Sequence, residues 1–186
     1  MAPVDANDNG MSLIEKKHEV SPFLIQDMFS LMRPTWAESH LNHDKNFVKA
    51  VEIAKEILLR SIVHARDAIL AEEKILQAHK DAKDKRIIVL DNYYPFKETF
   101  DTLPEPFFAI YPRDSSGVWC VKAIRKDDED FKNRKDLPEA WAGLENEELQ
   151  KISGVKDAIF CHRGLFIAVA GSREGAVKLA QIALDS

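Results

Sequence analysis

Hydrophobic and polar residues along this chain follow two periods, and the change between them divides it. In SPFLIQDMFSLM (21–32), apolar side chains at 24, 25, 28, 31 and 32 repeat at helical spacing behind a Ser21 N-cap and Pro22 in the first turn, and Pro34 stops the pattern. From about Asp44 to Asp81, Phe47, Val51, Ala54, Leu58, Ile62, Ala65 and Ile69 mark one face of a single long helix, with Asn42 or Asp44 as caps. Unbroken, such a helix runs roughly 50 Å. Its apolar density is highest in the first two thirds and the closing LQAHKDAKDKR reads as solvated, so the helix is expected to bridge to a sheet or back one.

The period then shortens to that of a strand. RIIVLD (86–91), FFAIYP (107–112) and VWCVKAI (118–124) are rich in β-branched and aromatic residues and bounded by Pro, Asp and Gly, and RDSSG joins the last two as a hairpin-like loop. The charged stretch from Arg125 to Leu144 has no regular period and reads as a surface loop anchored by Phe131 and Trp141. NEELQKISG is a short helix ended by Gly154, AIFCHR and LFIAVAG are two strands joined at Arg163 and Gly164, and SREGAVKLAQIAL is a closing helix capped by Ser172 with Glu174 in its first turn. The expected fold is α+β: N-terminal helices including one long helix, then a mixed sheet of about five strands with a C-terminal helix. The expected divisions are 1–20, 21–82 and 83–186.

A hydrophobic content of 45% with ten Phe and three Trp supplies a core, and a net charge of -5 argues against a broadly basic nucleic-acid binder while leaving room for a local patch. Cys120 and Cys161 lie far apart in apolar runs, which suits buried reduced thiols. No stretch approaches the roughly 20 apolar residues of a membrane span, and no signal peptide is legible. A cytoplasmic protein without a membrane partner is expected, with nucleus or mitochondrion as alternatives in a eukaryote.

Candidate chemistry is sparse. His40 and His43 stand in an H-x-x-H spacing beside Asp44, and Asp5 and Asp8 supply hard oxygens, but neither group makes a full ligand set. His162, in the turn between two apolar strands, is read either as a phosphate grip with Arg173 and Ser172 at the start of the last helix, or as a surface histidine beside a capped helix. Lys97 and Glu98 follow an aromatic cluster and are placed either at a cleft or in a surface salt bridge. Trp119 and Trp141 are read as core or loop anchors before base-stacking groups. Lys122, Arg125 and Lys126, with Lys132, Arg134 and Lys135, are basic clusters diluted by the acidic run 127–130 and read as a solvated hairpin end. From the residues alone the chain looks like a binding or structural module.

Several motifs occur together in order. They are Pro95, Phe96, Lys97 and Glu98; Ser116, Gly117 and Trp119; Asn133 and Arg134; and Leu137, Pro138, Trp141, Gly143 and Leu144. Phe160, His162, Phe166 and Ile167, then Glu174, Gly175 and Ala176, complete the series, and Pro34 to Trp36 and VDANDNG at the start extend it upstream. This pattern resembles the C-terminal part of the MYG (melanocyte proliferating gene) family, related to the DHH-type phosphoesterases, over nearly the whole chain.

The resemblance implies a metal-dependent hydrolase, with 3′–5′ RNA exonuclease activity in eukaryotic members. Mn²⁺ or Mg²⁺ would be held by an N-terminal domain with a histidine and aspartate motif and an Asp-His-His motif. Water activated by the metal would attack a phosphodiester there. This sequence contains no Asp-His-His triplet, so the resemblance implies no catalytic residue and no cofactor in this chain itself. It also implies a DHH-type catalytic domain as partner, RNA or a nucleotide as ligand, and an open question of self-association. The substrate-binding candidates carried from it are Lys97, Glu98, Asn133, Arg134, His162, Ser172 and Arg173. One departure lies at Ala168, Val169, Ala170 and Gly171, where a Gly-rich turn with a basic residue is expected, and Arg173 is the candidate to compensate.

Three readings follow. In the first the chain is the substrate-closure and assembly domain of such a hydrolase, separated from its catalytic domain by gene splitting or truncation. In the second it is an interaction or scaffold protein that kept the fold. In the third it is an autonomous hydrolase using Lys97, Glu98 and His162. In the first reading VDANDNG is the edge of the catalytic domain, in which Asn7 replaces an apolar residue.

Overall fold

The computed structural model describes residues 5–6, 9–11, 23–38, 43–113, 117–126 and 132–186, which fall into two units, Met1–Ile62 and Val63–Ser186. Ser21, Pro22, Asp8, His40, Ser116 and Phe131 therefore lie outside the described residues.

In the first unit, α1 is Ile25–Leu31, opened by the Asp27 carboxylate, which accepts from the Leu24 backbone N–H at 2.7 Å. It stops short of Pro34, as the sequence requires. The opening polar turn forms: the Asn9 backbone N–H and its Nδ2 both donate to the Asp5 carbonyl, at 3.0 and 2.8 Å, and Gly10 takes φ +78°. The long helix, α2, is His43–Asp81. In this unit its Phe47, Val51, Leu58 and Ile62 are exposed, and a cavity of about 600 Å³ is lined by Phe29, Met32, Pro34, His43, Phe47 and Val51.

The second unit is built on a sheet of β1 (Ile87–Val89), β2 (Phe108–Pro112), β3 (Trp119–Ala123), β4 (Ala158–Cys161) and β5 (Ile167–Ala170), in the order β1-β2-β3-β5-β4. The β1–β2 pair is parallel and needs a crossover, which carries the short helix α3 (Lys97–Asp101); the other pairs are antiparallel. Two helices follow the loop, α4 (Asn146–Ser153) and α5 (Arg173–Asp185), with a 3₁₀ turn at Glu139–Trp141.

Strand alternation divides the core into two layers. Phe108, Ile110, Val121, Ala168 and Ala170 face one way, onto Leu149, Ala176, Leu179 and Ala180 of α4 and α5. Ala109, Tyr111, Cys120 and Val169 face the other way, onto Phe100, Ala71 and Ile75. A bulge between Ala158 and Phe160 puts Ile159 and Phe160 together in the second layer. Burying a ring such as Phe108 stabilises by about 2–3 kcal/mol, and truncating it to Ala costs about 3–5 kcal/mol because the cavity adds to the lost transfer term.

The α+β arrangement and the caps of the last two helices match expectation, Gly154 ending α4 at φ +69° and the Ser172 hydroxyl accepting from the Gly175 N–H at 3.0 Å, whereas α1 is capped at Leu24 and not at Ser21, and Asp44 lies within the first turn of α2. The long helix differs in which part packs. Ala71 and Ile75, which lie after the residues named for the expected apolar face and before the stretch expected to be solvated, are buried on the sheet, while Ile69 on the expected apolar face is 62% exposed. Ile69 and Ile75 lie roughly 120° apart around the helix, so the helix carries a second apolar face. Residues 63–81 fall in the unit that holds the sheet.

Candidate functional site

Lys122 is the lone charged residue of VWCVKAI, and strand alternation directs it to the face that carries Ala109 and Cys120. Its register partners are Ala109 on β2 and Ile167 on β5, which set it in the middle of the sheet. The side chain is half-buried, and its Nζ lies 4.1 Å from the centre of the Phe166 ring. Burial holds the Lys122 amine below the ordinary lysine range, and the Arg125 charge acts in the same direction.

Beyond Phe166 comes His162, whose ring centre is 4.3 Å away, with Phe160 at 6.2 Å on its far side. The His162 Nδ1 accepts from the Gly164 N–H at 2.9 Å, which fixes the exposed ring in place. The turn here is strained at Leu165, a non-glycine residue at φ +57°, which costs about 1–2 kcal/mol. Leu165 is held there because its N–H donates to the His162 carbonyl and its own carbonyl accepts from Leu137, at 2.8 and 2.9 Å.

On the other side of Lys122 a cleft of about 410 Å³ is lined by Tyr93, Phe96, Lys97, Glu98, Tyr111 and Lys122 itself, among others. The Tyr93 and Tyr111 rings stand 5.2 Å apart at 61°, and Phe96 lies 5.7 Å from Tyr111, so the three form a corner. Burial also keeps the Tyr111 hydroxyl protonated far above the ordinary tyrosine range, with Cys120 and Tyr93 adding to the effect.

Lys97 and Glu98 thus do line a cleft, but they are not paired with each other there: the Lys97 Nζ bonds the Asp101 carboxylate at 2.7 Å, one helical turn on. The Asn133 amide donates to the Asp136 carboxylate at 2.6 Å. Arg134 is a structural brace in this fold. Its guanidinium donates to the carbonyls of Phe100 at 2.7 Å and Pro106 at 3.1 Å, and to that of Leu103, tying the loop to the crossover.

The expected phosphate grip of His162 with Ser172 and Arg173 is not assembled. In the β4–β5 register Ala158 faces Ala170 and Cys161 faces Ala168, and the His162 N–H donates to Ile167, so His162 and Ser172 fall at opposite ends of the hairpin, about five residues or roughly 17 Å apart. The start of α5 is already occupied by a carboxylate. The Ser172 hydroxyl donates to Asp157 at 2.6 Å while accepting from Gly175, and a Cβ on Gly175 would collide with the same carboxylate.

Trp141 is 2% exposed and Trp119 packs on the first core layer, as read from the sequence. Sequence reasoning missed Lys122, Tyr111 and Phe166. The available signal was one lysine in an otherwise apolar strand, which the basic residues after it obscured.

Among the described residues no three His, Cys, Asp or Glu side chains converge so as to hold a metal ion. The described donors do not fit a Mn²⁺ or Mg²⁺ centre, and no reaction step is assigned to one here. No described helix is long and apolar enough to cross a membrane. Both cysteines are buried and outside any disulfide, and burial pushes the Cys161 thiol up to about 11.

The MYG1 exonuclease family model, described as Uncharacterised protein family (UPF0160), matches residues 1–184. The chain is 31% identical to the MYG1 protein of Schizosaccharomyces pombe over 98% of its own length and 60% of that protein. It is 32% identical to a MYG1 protein of Saccharomyces cerevisiae over 97% of itself and 60% of that protein. It is 29% identical to the human MYG1 exonuclease over 97% of itself and 52% of that protein. It therefore spans between half and two thirds of the length of these relatives. No solved structure matches it. The chain belongs to the MYG1 exonuclease family.

Proposed function

We propose that this chain is the C-terminal substrate-closure and assembly part of a metal-dependent phosphodiester hydrolase, in the class of the RNA 3′–5′ exonucleases. It docks on a DHH-type catalytic portion that carries the Mn²⁺ or Mg²⁺, helps to hold substrate and does not turn over alone. The observation that carries this reading is the exposed apolar face of α2. Within the sheet unit, Ala71 and Ile75 are buried while Ile69, Leu70 and Leu76 of the same helix are 62%, 54% and 41% exposed. An apolar face of that kind on a helix already packed on its other side fits a docked partner.

One fact supports a partner portion. Relatives named MYG1 exonuclease are nearly twice as long as the stretch matched here, so each carries further chain beside this part. In this reading the metal chemistry belongs to the other portion.

The test mixes the chain with the segment of the S. pombe MYG1 protein that lies outside the match, in Mn²⁺ with a short RNA. Association together with cleavage faster than the partner alone supports the reading. No association and no added cleavage would leave the non-catalytic scaffold reading in its place.

A further inference from the structure

Four aromatic and cationic residues lie in sheet order. Tyr111 stands on β2, Lys122 on β3, Phe166 at the entry to β5 and His162 at the exit of β4. Three strand spacings cover roughly 14 Å. The row is continuous: Tyr93 and Phe96 meet Tyr111 at one end, Lys122 reaches the Phe166 ring, and Phe166 meets His162 at the other end.

We infer that this row binds a short stretch of single-stranded nucleic acid, with unpaired bases on the Tyr93–Tyr111 corner and on His162–Phe166 and the intervening phosphate at Lys122. The inference deepens the proposed reading by naming the strandedness of the substrate and the side chains that hold it.

Three features of the row argue for that ligand. First, it offers rings at two places with a cation between them, which is the alternation of base, phosphate and base along a strand. Every base has a π-face, but in a duplex both faces are covered by neighbouring pairs, so only an unpaired base can stack on a side chain. Second, two of the rings are at the surface: Tyr93 is 59% exposed and His162 is exposed, while their partners Tyr111 and Phe166 are more deeply set. An incoming base therefore meets a ring backed by a second, fixed ring. Third, Lys122 is half-buried over Phe166 with Arg125 near enough to feel its charge, so a phosphate there offsets the hydration that the amine lost on leaving water. This local positive charge exists in a chain of net charge -5, so binding depends on the row and not on the overall field.

The test is fluorescence anisotropy of a labelled single-stranded oligoribonucleotide with the full 186-residue chain, without partner or metal. The expected result is saturable binding that is at least about tenfold weaker for a duplex of the same sequence. Tyr93→Ala and Lys122→Met should each weaken it by about tenfold, and the lysine change should also flatten the salt dependence by about 0.7 in log–log slope, the share of one phosphate contact. Thermal unfolding of both variants checks that they fold, and Tyr93, being exposed, is the safer of the two. Duplex binding as tight as single-strand binding, wild-type affinity in both variants, or displacement by a nucleoside monophosphate as effective as by the strand would each overturn the inference. Because no partner is present, failure here leaves the docking reading standing, and failure to dock leaves this binding intact.

Discussion

The ammonium of Lys122 lies 4.1 Å from the centre of the Phe166 ring, in the middle of a sheet face that is otherwise apolar. Burial holds this amine below its ordinary range, so between the lowered native value and the ordinary one the unfolded chain binds more protons. Native stability therefore rises with pH through that alkaline window as the burial cost of the charge is relieved, and the cost is fully present at neutral pH. Urea unfolding of wild type and Lys122→Met at neutral pH and at about pH 10 should show wild type gaining on the variant as pH rises. The gain should stay under about 1 kcal/mol because the amine is only half-buried. An unchanged difference would mean that the amine is solvated.

Gly175 and Asp157 make a second test. A methyl at Gly175 collides with the Asp157 carboxylate, which is held by the Ser172 hydroxyl at 2.6 Å. Alanine normally favours a helix over glycine by about 1 kcal/mol, yet here Gly175→Ala is expected to destabilise by about 1–3 kcal/mol. Combining it with Asp157→Ala should recover part of that loss, and strictly additive effects in the double-mutant cycle would contradict the contact.

Arg134 distinguishes a brace from a substrate contact. Its fork serves carbonyls of Phe100, Leu103 and Pro106, which a lysine cannot match in geometry. Arg134→Lys should lower unfolding stability by about 2 kcal/mol while nucleotide affinity stays within about twofold. Preserved stability with lost affinity would restore Arg134 to the substrate candidates.

The two thiols should be silent in the native protein. Cys120 and Cys161 are 2% and 0% exposed, and burial raises the Cys161 thiol to about 11, so little thiolate is present at neutral pH. Alkylation followed by mass spectrometry is expected to label neither residue until denaturant is added. Rapid native labelling of Cys161 would mean that the sheet opens there.

Much of this fold is legible from local chemistry. Ser172, Gly154 and the alternation in FFAIYP and VWCVKAI each state their own structure, because a cap, a left-handed turn and a half-buried strand depend on neighbours within a few residues. What was not legible depends on distant partners. The period of α2 supports two apolar faces, and only packing on the sheet selects Ala71 and Ile75 over Ile69. The same holds at the site: His162 and Ser172 are close in sequence but separated by the antiparallel register, whereas Tyr111, Lys122 and Phe166 are far apart in sequence and adjacent across strands.

The docking role of α2 is the central claim of the proposed function. Its most direct test is sedimentation velocity of this chain with the unmatched segment of the S. pombe MYG1 protein, using wild type and Ile69→Asp. Ile69 is exposed in the chain itself, so its replacement should leave the fold intact. A complex with the wild type, weakened at least about tenfold by a buried charge in the variant, is the predicted result. Equal complex formation by both, or none by either, would contradict it.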